Sequence, residues 1–155
     1  MNLHNNSEQF LTLVNFTAEH FHILPAFIEK DYWITRSLQR MAHNPNADKV
    51  VFKGGTALAK AFRLTNRFSE DIDIAIIDAN SMTGNHLKML IKRLAKDMTS
   101  GLEEKITKGI TSKGSRFYRS IYHTELRPLA FIEIPDEKQI ENTFLNLMER
   151  IKIGS

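Results

Sequence analysis

Apolar residues recur at helical spacing through the amino-terminal part of the chain. Phe10, Leu11, Val14 and Ala18 form a stripe that predicts a helix over 7–22 with Ser7 as its cap. Pro25 suits the first turn of a second helix, which runs to about Met41 and ends at His43-Asn-Pro-Asn. Phe27, Ile28, Ile34, Leu38 and Met41 are its expected buried positions. Val50, Val51 and Phe52 read as a short buried strand, broken by Gly54 and Gly55. From Thr56 to Phe62 most residues are good helix formers. The period then changes to two: Ile72, Ile74 and Ile76 alternate with Asp71 and Asp73, which predicts a strand over 70–77.

A polar turn over 78–84 precedes a predicted helix over 85–99. Leu87, Leu90, Ile91, Leu94 and Met98 share one of its faces, and Lys88, Lys92, Arg93 and Lys96 occupy the rest. Residues 102–114 are ambiguous: Thr107, Ile110 and Thr111 suggest a weak strand that Gly109 and Gly114 interrupt. Strands over 116–123 and 129–134, joined through Glu125-Leu-Arg-Pro, predict an antiparallel pair that Pro135 stops. Ile140, Phe144, Leu147, Met148 and Ile151 predict a closing helix over 136–151. The fold class expected is α/β (α+β), a small mixed sheet flanked by helices.

The strand over 70–77 carries the candidate chemistry. Residues i and i+2 of a strand face the same way, so Asp71 and Asp73 stand together, roughly 7 Å apart, opposite the isoleucines. Such carboxylates repel unless a cation joins them. Oxygen donors on a rigid element suit Mg²⁺ or Mn²⁺, which are usually held by one or two carboxylates and by substrate phosphates. The other reading is a solvated strand face. Gly54 and Gly55 permit close backbone approach, and the helix after them offers unpaired N–H groups to an anion. Lys53, Thr56 and Ser69 are further candidate donors. A Gly-Gly pair alone is a weak signal, since turns use it constantly; followed by Ser-Glu-Asp-Ile-Asp it is far more specific. Glu133 lies in phase with Phe131 inside an apolar strand, where a charge needs a partner or an open face. It is either a third acid of the site or an Arg-paired glutamate on a half-exposed sheet.

The runs Phe-Lys-Gly-Gly-Thr-Ala-Leu-Ala-Lys-Ala (52–61) and Arg-Phe-Ser-Glu-Asp-Ile-Asp-Ile (67–74) resemble the AbiEii/AbiGii-type nucleotidyltransferase toxins of type IV toxin–antitoxin systems. That family is similar in turn to the DNA polymerase β-like nucleotidyltransferases, whose signature is a Gly-Gly or Gly-Ser turn followed by Asp-x-Asp. Glu29 to Thr35 resembles the helix that precedes the turn. The resemblance covers 25–77 well and is weaker to residue 135. It implies a nucleotidyltransferase fold and transfer of a nucleotide from a nucleoside triphosphate, with Mg²⁺ or Mn²⁺ on Asp71, Asp73 and Glu133. It implies a triphosphate on Gly54, Gly55 and Ser69, with Lys53 or Thr56 assisting. RNA or tRNA as acceptor, a cognate antitoxin protein and a role in growth arrest or phage defence follow by the same analogy. Toxins of the family are usually longer, with a helical carboxy-terminal part bearing a lysine and an Arg-Asp-x-x-Asp-like motif. This chain shows neither, so the expectation is a single nucleotidyltransferase-like domain over 1–155, a minimal homologue or an amino-terminal fragment.

Composition narrows the alternatives. No cysteine is present, which excludes disulfides and thiolate chemistry. Six scattered histidines show no zinc-ligand grouping, no serine sits in a nucleophile elbow, and no P-loop occurs. No long apolar run or signal pattern appears, so a cytoplasmic protein with no membrane partner is expected. The net charge of +3 permits a nucleic-acid partner without requiring one. The competing function class is a non-catalytic module that keeps the fold and binds a nucleotide or a protein.

Overall fold

The computed structural model describes residues 3–65, 68, 71–106, 108, 111–113, 118–123 and 128–134, with 123 and 128–134 described by their backbone. The predicted helix over 136–151 and the expectations for Ser69, Thr107 and Ile110 lie outside these residues.

Helix α1 spans Ser7–Phe21 and buries Phe10, Val14 and Ala18, the stripe expected at four-residue spacing. Its cap is Asn6 rather than Ser7: the Asn6 side chain accepts from the Gln9 N–H at 3.0 Å. Leu11 turns toward solvent, one residue off the stripe. Helix α2 spans Pro25–Ala42, with Pro25 in its first turn. Phe10 packs its ring against Tyr32 and Trp33 of α2, at centroid distances of 4.8 and 6.4 Å.

Strand β1 is Val50–Lys53. A short helix α3, Gly54–Thr56, follows directly and widens into a π-helical turn over Ala57–Ala61. The helical segment therefore opens at the glycine pair, ahead of the start at Thr56 that composition suggested. Strand β2 is Asp71–Ile76, and helix α4 is Gly84–Met98, capped by the Thr83 side chain. Beyond it lie β3 (Glu103–Lys105), β4 (Ser112–Lys113), β5 (Tyr118–His123) and β6 (Pro128–Ile134). Strand β3 has no apolar alternation for a pattern to find. It is a three-residue, charged strand at the end of the main strand path, a composition that discourages further pairing.

The strands form one mixed sheet in the order β1-β2-β6-β5-β3, with β4 also on β5. Only the β2–β6 pair is parallel among the described pairings. Ile72, Ile74 and Ile76 meet Leu87, Leu90, Ile91, Leu94 and Met98 of α4, with Ile34 of α2 and Tyr118 and Tyr122 of β5 in the same cluster. Each such fully buried aliphatic side chain contributes about 1.5–3 kcal/mol. Both α2 and α4 join this cluster on the isoleucine face, which leaves the aspartates on the other.

Among the described residues no helix is long and apolar enough to cross a membrane.

Polar groups also close the isoleucine side. Glu104 accepts from Lys113 at 2.7 Å, from Ser120 and from the Tyr118 hydroxyl, which in turn meets the Tyr122 hydroxyl at 2.8 Å. Burial opposes ionisation of Glu104, but the hydrogen bonds from Lys113 and Ser120 outweigh it and hold its pKa below the ordinary value of 4.5. The folded state therefore binds this proton less readily than the unfolded chain. The stabilisation is present above the unfolded value and is lost as pH falls through the folded one. Thermal unfolding from neutral to acid pH should show Glu104→Gln melting several degrees below wild type at neutral pH, with the gap narrowing below about pH 4.

Candidate active site

The alternation of β2 buries Ile72, Ile74 and Ile76 and leaves Asp71 exposed and Asp73 half-buried on the opposite face. Antiparallel β1 sets Lys53 beside Asp73 and delivers the glycine turn to the same end of the strand. Gly54 adopts φ +76°, a conformation that L side chains rarely take. A Cβ on Gly54 would also overlap the Asp73 carboxylate, with the Asp73 Cγ only 2.8 Å away. Two independent constraints thus require glycine at 54. The backbone of the turn lies directly against a candidate metal-binding carboxylate.

Gly55 is helical, so the left-handed residue of the pair is Gly54. Thr56 is buried, and its hydroxyl donates to the Asp71 carbonyl. That side chain ties the turn to β2; an anion at the turn would meet the Thr56 backbone rather than its hydroxyl. The π turn closes with the Phe62 N–H on the Ala57 carbonyl at 3.1 Å. Asp31 holds this segment against α2 through Lys60 at 2.7 Å, and Lys60 also donates to Thr35 at 3.0 Å. The cation that joins Asp31 thus comes from the segment after the glycines, 29 positions along the chain.

Parallel pairing brings Glu133 level with Asp73 and Phe131 level with Asp71. Antiparallel pairing sets Arg119 level with Glu133 on the far side. One row across four strands therefore reads Lys53, Asp73, Glu133, Arg119. Arg119 was not evident as a site residue in the sequence, because nothing local marks it; only the register of two distant strands aligns it with the acids. Ser69 lies outside the described residues, and so does the side chain of Glu133.

Asp71 and Asp73 offer oxygen donors alone, on a rigid strand, with the Gly54 backbone packed against the Asp73 carboxylate. This donor set fits a hard divalent cation held by one or two carboxylates and completed by substrate phosphates. Among the described residues no group of three or more His, Asp or Glu could hold a metal by itself. A separate groove of about 530 Å³ opens on the isoleucine side, lined by Lys92, Lys96, Glu104, Lys113 and Tyr122 among others. It shares no lining residue with the glycine turn or β2.

The family model for the nucleotidyl transferase AbiEii toxin of type IV toxin–antitoxin systems matches residues 36–139. The chain belongs to this family. The AbiEii match takes in the carboxy-terminal part of α2, the glycine turn, Asp71, Asp73, Arg119 and Glu133, and membership suggests a nucleotidyltransferase and toxin role. Neither a curated protein nor a solved structure matches the chain.

The contact between turn and acid has a direct test. Gly54→Ala should destabilise the protein by more than about 1 kcal/mol, through both backbone strain and overlap with Asp73. Asp73→Ala in the same background should recover part of that loss, with a coupling of about 0.5–3 kcal/mol in denaturant unfolding of the four variants. Strict additivity would mean that the turn and Asp73 do not touch.

Proposed function

We propose that the chain is a metal-dependent nucleotidyltransferase that moves a nucleotide from a nucleoside triphosphate to an acceptor hydroxyl, within a bacterial toxin–antitoxin or phage-defence system. The observation that carries this reading is the packing of Gly54 against the Asp73 carboxylate. A backbone cradle suited to phosphates and an oxygen donor suited to a divalent cation are in contact, in a chain of the AbiEii family.

In this reading Asp71, Asp73 and Glu133 would hold Mg²⁺ or Mn²⁺. When bound, the ion neutralises phosphate charge and lowers the pKa of the acceptor hydroxyl. The backbone at Gly54 and Gly55 receives the triphosphate, with Ser69 and the Thr56 amide assisting. Lys53, beside Asp73, offsets charge on the same side. The acceptor oxygen forms a bond to the α-phosphorus as the bond to pyrophosphate breaks, and the hydroxyl proton passes toward Glu133 or solvent. Positioning and charge compensation supply most of the acceleration in such transfers. RNA or tRNA is the acceptor and a cognate antitoxin the protein partner by family likeness, and the domain spans 1–155.

Calorimetry with a nucleoside triphosphate should show tighter binding with Mg²⁺ than without it. Asp73→Asn should remove most of that gain, about tenfold or more in affinity. Incubation with labelled triphosphates, Mg²⁺ and total RNA should then label RNA with wild type and not with Asp73→Asn. Equal affinity with and without Mg²⁺ would refute the mechanism. Mg²⁺-dependent binding with no labelled product would identify a non-catalytic nucleotide-binding module instead.

A further inference from the structure

We infer that the exposed ring of Phe68, backed by Phe27, is the platform on which the base of the bound nucleoside triphosphate stacks. This rests on the nucleotidyltransferase reading above and adds to it the group that receives the nucleoside end. The rings of Phe68 and Phe27 are stacked, 29° from parallel, with centroids 5.7 Å apart. Although one side of its ring is turned to Phe27, Phe68 keeps 41% of its surface exposed.

Two tethers place this pair beside the glycine turn. Phe27, Asp31 and Thr35 follow one another at four-residue spacing, so they share a face of α2. Lys60 joins Asp31 at 2.7 Å and Thr35 at 3.0 Å, which lays that face along the segment leaving Gly54 and Gly55. Phe68 meets the same face of α2 through Phe27. Phe68 is also three residues before Asp71, which keeps its backbone within about 11 Å of the first acid of β2.

A nucleoside triphosphate has two chemically distinct ends. With the leaving pyrophosphate on the glycine turn and the α-phosphate at Asp71 and Asp73, the ribose and base extend past the acids. The described side chains in register there, Lys53, Asp73 and Arg119, are charged and offer a base no flat apolar surface. An aromatic ring does, and stacking on it tolerates every base. Phe62 and Phe68 are the exposed phenylalanines between the glycine turn and β2 among the described residues. Of the two, Phe68 is the one with a ring packed behind it. That support fixes the ring before the ligand arrives, which lowers the ordering cost of stacking on it. The stack has a plain structural use as well, pinning the residues before β2 to α2. That use alone would make a change at Phe68 act equally on every ligand of the turn.

The full chain is titrated by calorimetry, with Mg²⁺ present, against the four ribonucleoside triphosphates in turn. Inorganic tripolyphosphate, which has the phosphates and lacks the nucleoside, is titrated in parallel, and folding is followed by thermal melting. Phe68→Leu should weaken each nucleotide that wild type binds about tenfold. Tripolyphosphate affinity should stay within about twofold. Phe68→Tyr keeps a ring and should bind nucleotide within about twofold of wild type. If Phe68→Leu does not fold, Phe68→Trp replaces it. Its added fluorescence should be quenched by nucleotide and not by tripolyphosphate, and an equal response to both overturns the assignment.

Unchanged nucleotide affinity in folded Phe68→Leu overturns the proposal. So does an equal loss of nucleotide and tripolyphosphate, a selective loss in Phe62→Leu instead, or no nucleotide binding by wild type. If Mg²⁺ strengthens neither ligand while Phe68→Leu still discriminates against nucleotide, the nucleotidyltransferase reading fails and the base platform stands.

Discussion

The close approach of the Gly54 backbone to the Asp73 carboxylate sets the geometry of everything around it. A side chain at 54 has no space, and the left-handed backbone there would strain any residue with a Cβ. The buried Thr56 hydroxyl then fastens the turn to the Asp71 carbonyl, so the turn is pinned to both ends of the Asp-Ile-Asp run. The helix that follows cannot drift, because Lys60 anchors it to Asp31 on α2. A π-helical widening in that segment is consistent with a helix whose start is dictated by the strand and whose end is dictated by α2; such turns recur at functional sites.

The sheet divides its two faces between stability and chemistry. Ile72, Ile74 and Ile76 lock β2 against α4 and α2, so its backbone is immobilised by apolar burial. The alternate residues inherit that rigidity without contributing to the core. Two carboxylates close together need rigid support, since their mutual repulsion would otherwise splay them. Lys53 is registered with Asp73 on the neighbouring strand, which sets a cation beside the pair. On the isoleucine side, Glu104 with Lys113, Ser120 and Tyr118 gives β3, β4 and β5 a polar clasp where apolar packing thins out.

The local pattern specified much of this protein. The stripe on α4, the alternation of β2 and the proline at the start of α2 are each written in adjacent residues, because helix and strand periods act over a few positions. The same is true of Asp71 and Asp73 sharing a face, and of glycine at the turn. Local signals compete at the start of α1: Asn6 caps it in place of Ser7, since both are good caps and the helix start is decided by which one reaches the Gln9 amide. The charged edge strand β3 carries no apolar period, so nothing in its composition announces pairing with β5.

Tertiary structure alone decided what meets across the site. Gly54 is nineteen positions from Asp73, and Glu133 is sixty from it. Their alignment depends on the antiparallel register of β1 and the parallel register of β6, and a slip of one residue would send every alternate side chain to the other face. Register is set by the packing of whole elements, above all the isoleucines on α4, and no short stretch encodes it. That is why the sequence by itself determined the acid pair, the glycine turn and the core-facing stripes. The row from Lys53 to Arg119, the choice of Gly54 over Gly55 as the left-handed residue and the pairing of Asp31 with Lys60 emerged only when distant segments were brought together by the sheet.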